Sequence, residues 1–165
     1  MLVILYGTSG AGKSTLGARL SEKRGWHFYD ADEHVLPNMQ PYIAARKTFP
    51  QALRDRYYAL VGDHIAAKLE QHEHVVVAQA MIKQSNRLDL LRRFPKARFV
   101  AVTAAPQVID RRVRLRANMV TTEYAKKVLA EFERTESDHE IQNVDLEQAL
   151  LALESLLELP AIPTR

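Results

Sequence analysis

The sequence has no cysteine, so it can build neither a disulfide framework nor a thiolate site. The same absence fits a reducing cytoplasm. No apolar run approaches the roughly 20 residues of a spanning helix. The first, Leu2 to Tyr6, is also too short for the core of a secretory leader. A soluble, non-exported protein is therefore expected, with no membrane partner. Net charge is only +3, and no lysine or arginine run stands out, which argues against nucleic acid as a partner. Glycine is scarce, six residues in 165, so its clustering carries information. Gly7, Gly10 and Gly12 all fall in the first dozen positions.

What is present is an ordinary globular balance, 47% hydrophobic and 26% charged. With no repeat, linker or low-complexity segment, one domain over 1–165 is expected. Leu2 to Tyr6, His27 to Tyr29, Val75 to Ala78 and Arg98 to Val102 are predicted strands, with Glu140 to Val144 a short fifth. Ser14 to Lys23 is a predicted helix that stops at Gly25. Pro37, Pro41 and Pro50 punctuate a stretch read as irregular. After Pro50, Leu53, Tyr57, Leu60, Val61, Ile65 and Leu69 recur at three- and four-residue spacing and predict a long helix. Further helices are predicted over 86–94, 106–116, 122–134 and 146–157. Apolar strands alternating with helices imply a three-layer α/β/α fold around a five-stranded parallel sheet.

"GTSGAGKS", Gly7 to Ser14, matches the phosphate-loop pattern G-x-x-x-x-G-K-[ST]. The predicted strand before it and helix after it are the context that pattern needs. Gly7, Thr8, Ser9, Gly10, Ala11, Gly12, Lys13, Ser14 and Thr15 are the expected nucleotide-binding residues. The glycines permit a tight loop whose N–H groups form an anion nest. The helix start adds positive potential. Lys13 supplies a full charge to the β/γ-phosphates of ATP, and the Ser14 hydroxyl is a ligand for Mg²⁺.

Other features narrow the class. No Asp is followed by Gly three positions on, as the switch of a regulatory GTPase requires. Larger ATPase machines end a core strand in an acid, and here Val75 to Val77 leads into Ala78-Gln79. The acids stand instead at Asp30 and Asp32. They follow the second strand, at the sheet edge where ligands of parallel sheets bind. In extended backbone their side chains share a side. Asp30 is then a second Mg²⁺ ligand, and Asp32 orients and deprotonates an attacking hydroxyl. A helix cap is the competing role for such an acid.

"GTSGAGKST", the Asp-x-Asp of "YDADEH" and the later "FVAVTAAPQVIDRRVRLR" together resemble the gluconate kinase and shikimate kinase group, with gluconate kinases nearer. The resemblance implies a nucleoside-monophosphate-kinase-like P-loop fold with a mobile lid over about 113–124 and an acceptor-binding region over about 32–60. "AQAMIKQSNRLDLLRR" is similar to a Ser-Ala-Leu-Lys and Tyr-Arg segment of gluconate kinases, which implies Lys83 and Arg87 as acceptor contacts. His34, following the acidic pair, is a further one. Two departures stand out. The His-Phe-Met of the gluconate kinase lid is Asn118-Met119-Val120, and the Ser of Ser-Ala-Leu-Lys is Gln79. The Gly-Gly-Gly turn of shikimate kinases is also replaced, by Ala78-Gln79-Ala80.

Arg111, Arg112, Arg114 and Arg116 crowd one helix. Phosphoryl transfer spreads negative charge over three oxygens, which a lid arginine stabilises on closure. By family position Arg112 lies near the nucleotide and Arg116 is the catalytic lid residue. An acid acceptor needs a carboxylate partner, and Arg56 is preferred over Arg46 and Arg54. His64 falls on the apolar face of its helix as a packed histidine.

The expected function is ATP-dependent phosphorylation of a hydroxyl on a small polar metabolite, gluconate first, by a monomer or homodimer. Shikimate, nucleosides, antibiotics or a polynucleotide 5′-hydroxyl are alternative acceptors. An ATP-binding regulatory module without transfer activity is the alternative of another class.

Overall fold

A computed structural model of the chain describes residues 1–115, 122–133 and 139–158. Five strands form its single sheet: β1 (Leu2–Tyr6), β2 (His27–Asp30), β3 (Val75–Gln79), β4 (Arg98–Thr103) and β5 (His139–Gln142). The order is β2-β3-β1-β4-β5, and every pairing is parallel. The helices are α1 (Lys13–Arg24), α2 (Gln40–Ala44), α3 (Gln51–Gln71), α4 (Gln84–Arg93), α5 (Pro106–Leu115), α6 (Thr122–Ala130) and α7 (Leu146–Glu158).

Strand alternation divides the core between the two faces of the sheet. Ile4, Tyr6, Val75 and Val77 pack with Tyr57, Tyr58, Val61 and Ile65 of α3. Val3, Leu5, Val76 and Val100 pack with Leu16 and Leu20 of α1 and Leu150 and Leu153 of α7. The expected three-layer parallel fold is therefore present. Among the described residues no helix is long and apolar enough to cross a membrane.

Two local expectations change. The proline-punctuated stretch is not irregular throughout: Pro37–Met39 is a 3₁₀ turn, and α2 follows it. Pro37 and Pro41 both stand at a first turn, where the missing N–H costs nothing. The acidic pair is not extended either. β2 ends at Asp30, and Ala31–His34 is a 3₁₀ turn capped by Asp30, whose Oδ1 accepts from Asp32 N at 3.1 Å. The cap satisfies an N–H that extended backbone would leave to solvent.

The register sets the site. Tyr6 pairs with Gln79, and Asp30 with Ala78. The carboxyl ends of β1, β2 and β3 thus finish level, and the chain reverses direction of winding about β1.

Candidate active site

The loop after β1 is bent by glycine. Gly7 has φ +147°, and a Cβ there would sit 2.2 Å from Val102 O. Gly12, just before α1, has φ +94°, and its Cβ would sit 2.2 Å from Asn143 Nδ2. At Gly7 the obstruction is backbone and admits no side chain; at Gly12 it is the Asn143 side-chain amide, on top of a left-handed backbone that disfavours a Cβ. The loop's carbonyls are engaged from outside: Lys13 Nζ donates to Thr8 O at 3.0 Å, and Asn143 Nδ2 to Ala11 O at 2.9 Å. Arg112 Nη1 donates to Ala11 O at 3.3 Å and lies 3.5 Å from Gly10 O. Gly7 N donates to Ala80 O and Ala11 N to Thr8 O, each at 3.2 Å, so an anion nest here is built from the other N–H groups of the loop. The first turn of α1 contains Lys13 and Ser14, no acid and no side-chain cap, so its positive end is not compensated there.

Two clefts are lined in part by residues of this loop and the start of α1. One, of about 260 Å³, is lined by Ser9, Lys13, Asp32, Arg54, Tyr57 and Gln79, with apolar walls that include Met39, Ile43, Phe49 and Ile82. The other, of about 280 Å³, lies among Gly12, Thr15, Arg112, Leu115, Asn143 and Leu146. The phosphate loop is the wall they share.

Asp32 is exposed at the first cleft. Gln79 Nε2 donates to Asp32 Oδ1 at 3.2 Å and to the Tyr57 hydroxyl at 2.5 Å. The Tyr57 hydroxyl donates to Ala31 O at 2.7 Å. Burial pushes the Tyr57 phenol well above its ordinary range, and the nearby Asp32 charge adds to this. It stays a neutral donor. Asp30, half-buried at the end of β2, caps the turn that carries Asp32.

The other expected residues separate. Arg56 is exposed on α3 and does not line the cleft; Arg54, two residues before it, is buried and does. Arg54 Nε donates to Phe49 O at 3.0 Å, and its Nη2 meets Glu131 Oε2 at 2.8 Å. Arg46 is exposed and paired with Glu123 at 2.9 Å. His34 lies outside the cleft lining, with Nδ1 3.2 Å from the Tyr29 hydroxyl and its ring 3.7 Å from that of His64. That half-buried contact is where His64 packs.

Lys83 and Arg87 face the end of α6 instead of the cleft. Lys83 pairs with Glu133 at 3.0 Å. Buried Arg87 donates to Met81 O at 2.6 Å and Glu133 O at 2.5 Å, with its guanidinium 4.9 Å from the Tyr6 ring centre. Arg112 lines the second cleft, while Arg114 pairs with Asp110 at 2.9 Å. Arg116, Asn118, Met119 and Val120 lie outside the described residues.

Sequence reasoning passed over Tyr57, Asn143 and Gln79 as site residues, and ranked Arg54 below Arg56. A signal existed for two of these. Arg54 is three and four residues before Tyr57 and Tyr58, on the apolar face of α3. Asn143 falls near the end of the predicted strand Glu140 to Val144, at the sheet's ligand edge.

The phosphate loop and acid-bearing cleft agree with what the chain is similar to. A family model described as "AAA domain" matches residues 2–135. The chain is 35% identical over 94 residues to a probable gluconokinase of Xenopus tropicalis, covering 55% of this chain and 48% of that one. It is 30% identical over 86 residues to a shikimate kinase of Xanthomonas axonopodis pv. citri, covering 52% and 39%. It spans about half the length of the first curated relatives it matches. A crystal structure of a gluconokinase from Sinorhizobium meliloti superposes with a TM-score of 0.80 at 22% identity, covering 95% and 93% of the two chains. The chain belongs to the AAA domain family of P-loop proteins, and within that fold it resembles the gluconate kinase and shikimate kinase group.

Proposed function

We propose that the chain is an ATP-dependent kinase that phosphorylates a hydroxyl of a small polar metabolite, with gluconate the favoured acceptor. The observation that carries this reading is the convergence of Lys13 and Asp32 on one cleft. A phosphate-binding cation and a carboxylate base then face the same bound acceptor.

The loop fits a triphosphate. Its glycines leave a cradle that a Cβ at Gly7 or Gly12 would fill, and its backbone N–H groups suit phosphate oxygens. The second cleft, with Arg112 and Asn143, suits the remainder of the nucleotide. Ser14 and Asp30 offer hard oxygen donors and would hold Mg²⁺. Bound there, Mg²⁺ supplies charge neutralisation of the phosphates.

The acceptor lies in the first cleft with its hydroxyl at Asp32. The hydroxyl oxygen forms a bond to the γ-phosphorus, and its proton passes to Asp32. The bond to the β,γ-bridging oxygen breaks, and ADP leaves with that electron pair. Lys13 stabilises the charge on the transferring group. Arg54 is the cleft's buried cation and is proposed to meet the carboxylate of an acid acceptor. Arg56, His34, Lys83 and Arg87 have no contact with this cleft that supports the same role for them, and Arg116 keeps its proposed lid role from family position alone.

Shikimate is the second reading. The similarity to shikimate kinases favours it, and the apolar walls suit a ring. The experiment is ADP release from Mg·ATP with gluconate, shikimate, neutral sugars, nucleosides and a 5′-hydroxyl oligonucleotide. Saturable stimulation by gluconate supports the favoured acceptor. Stimulation by another acceptor retains the kinase and replaces gluconate. Tight ATP binding with silence across the panel would remove gluconate and shikimate and favour an acceptor outside the panel or a regulatory module.

A further inference from the structure

We infer that Gln79 is a positioning residue for Asp32, its side-chain amide holding the Asp32 carboxylate against the end of β3 with Tyr57 as second anchor. The inference rests on the kinase reading for the role of Asp32, and its test separates the two.

Gln79 is the last residue of β3 and pairs in register with Tyr6, the last residue before the phosphate loop. Its side chain therefore starts from a rigid point beside that loop. It is only 4% exposed. The side-chain orientation is set by its hydrogen bonds: Oε1 accepts from Ala80 N, while Nε2 donates to both Asp32 Oδ1 and the Tyr57 hydroxyl. Those two donations use both N–H bonds of the amide. Tyr57 donates onward to Ala31 O, so the turn bearing Asp32 is tied at Ala31 and at the Asp32 carboxylate. Asp30 fixes the backbone N–H of Asp32; Gln79 fixes its side chain.

The chemistry suits a base. A neutral amide donor orients the carboxylate without adding charge to the cleft. Lys13 from α1 and Arg54 from α3 line the same cleft, the neutral Tyr57 phenol stands beside it, and Asp30 and Glu33 flank Asp32 along the chain. A change at Gln79 alone leaves all of these in place.

Two variants and one spectroscopic reading test this. Gln79→Glu is nearly isosteric and puts a second carboxylate beside Asp32. It replaces the amide donor with a repelling acceptor and should lower kcat about ten- to a hundredfold, with KM for ATP within about twofold. Gln79→Leu should lower kcat about ten- to a hundredfold, with KM for ATP within about twofold. A kcat that stays at the wild-type value in both variants, with ATP binding intact, overturns the inference. The third reading needs no turnover. In ¹⁵N-labelled protein the Gln79 side-chain amide signals should move when Asp32 is replaced in Asp32→Asn, because the amide donates to that carboxylate. Amide signals indifferent to that substitution overturn the inference even if the protein proves an active kinase. An inactive wild type whose Gln79 amide follows Asp32 retains the positioning contact and removes only the kinase reading.

Discussion

Arg54 Nη2 lies 2.8 Å from Glu131 Oε2, joining α3 to the residue that follows α6. The arginine side chain is 6% exposed and the glutamate 33%. The cleft's buried guanidinium thus already has an anionic partner. If an acid acceptor meets Arg54, it competes with Glu131 for one cation. Arg54→Gln should raise KM for gluconate about ten- to a hundredfold, the worth of a charge-assisted hydrogen bond, and change KM for ATP little. Steady-state kinetics with both substrates varied checks this. Equal increases in both constants would point to a general collapse of the cleft.

Lys13→Ala should abolish turnover while leaving the thermal midpoint near that of the wild type. Lys13 is half-buried, and its hydrogen bond to the Thr8 carbonyl holds a loop, not the core. Circular dichroism melting beside the ADP-release assay separates the two effects. Full activity in this variant would remove the phosphate-loop reading.

Gly12→Ala tests the cradle itself. The new Cβ meets the Asn143 amide at 2.2 Å and needs a backbone with φ +94°. Left-handed backbone alone costs a non-glycine residue about 1–2 kcal/mol. Loss of ATP affinity by at least tenfold, read by calorimetry, is the expected result. Asn143→Ala, which removes the obstructing amide, should recover part of it in the double variant. Independent, additive losses would show that the clash is not the cause.

Stability should fall between pH 7.5 and pH 5.5. His27 and His64 are held below the ordinary histidine range, first by burial and then by a neighbouring histidine, His72 and His34 respectively, and by Lys68. The unfolded chain titrates near the ordinary value of about 6.5. Below that pH it binds protons that the folded chain still refuses, so protonation favours unfolding. The contribution is complete above about pH 6.5 and is lost as pH falls through the lower folded values. Urea midpoints at pH 7.5, 6.5 and 5.5 should decline, and His27→Gln with His64→Gln should flatten the decline. A rising midpoint toward pH 5.5 would contradict the sign.

The fold was largely legible because its signals are local. Leu2 to Tyr6 is apolar at every position, which only a strand covered on both faces explains. The spacing of Leu53, Tyr57, Val61 and Ile65 is that of a helix face, and α3 buries all four. The proline-rich stretch was less legible because proline marks both a break and a first turn. The phosphate loop was legible for another reason: its chemistry runs through consecutive backbone groups, so one contiguous string encodes it.

By itself, then, the sequence determined the parallel α/β architecture and the phosphate loop, since each depends on neighbours along the chain. Tertiary structure decided which scattered side chains share the cleft beside the phosphate loop. Arg54 and Arg56 differ by two positions, and only rotation about the α3 axis sends one inward and the other to solvent. Gln79 and Asp32 are 47 residues apart. They meet because β2 and β3 pair in parallel and end level, a register that the packed core sets and no local pattern records.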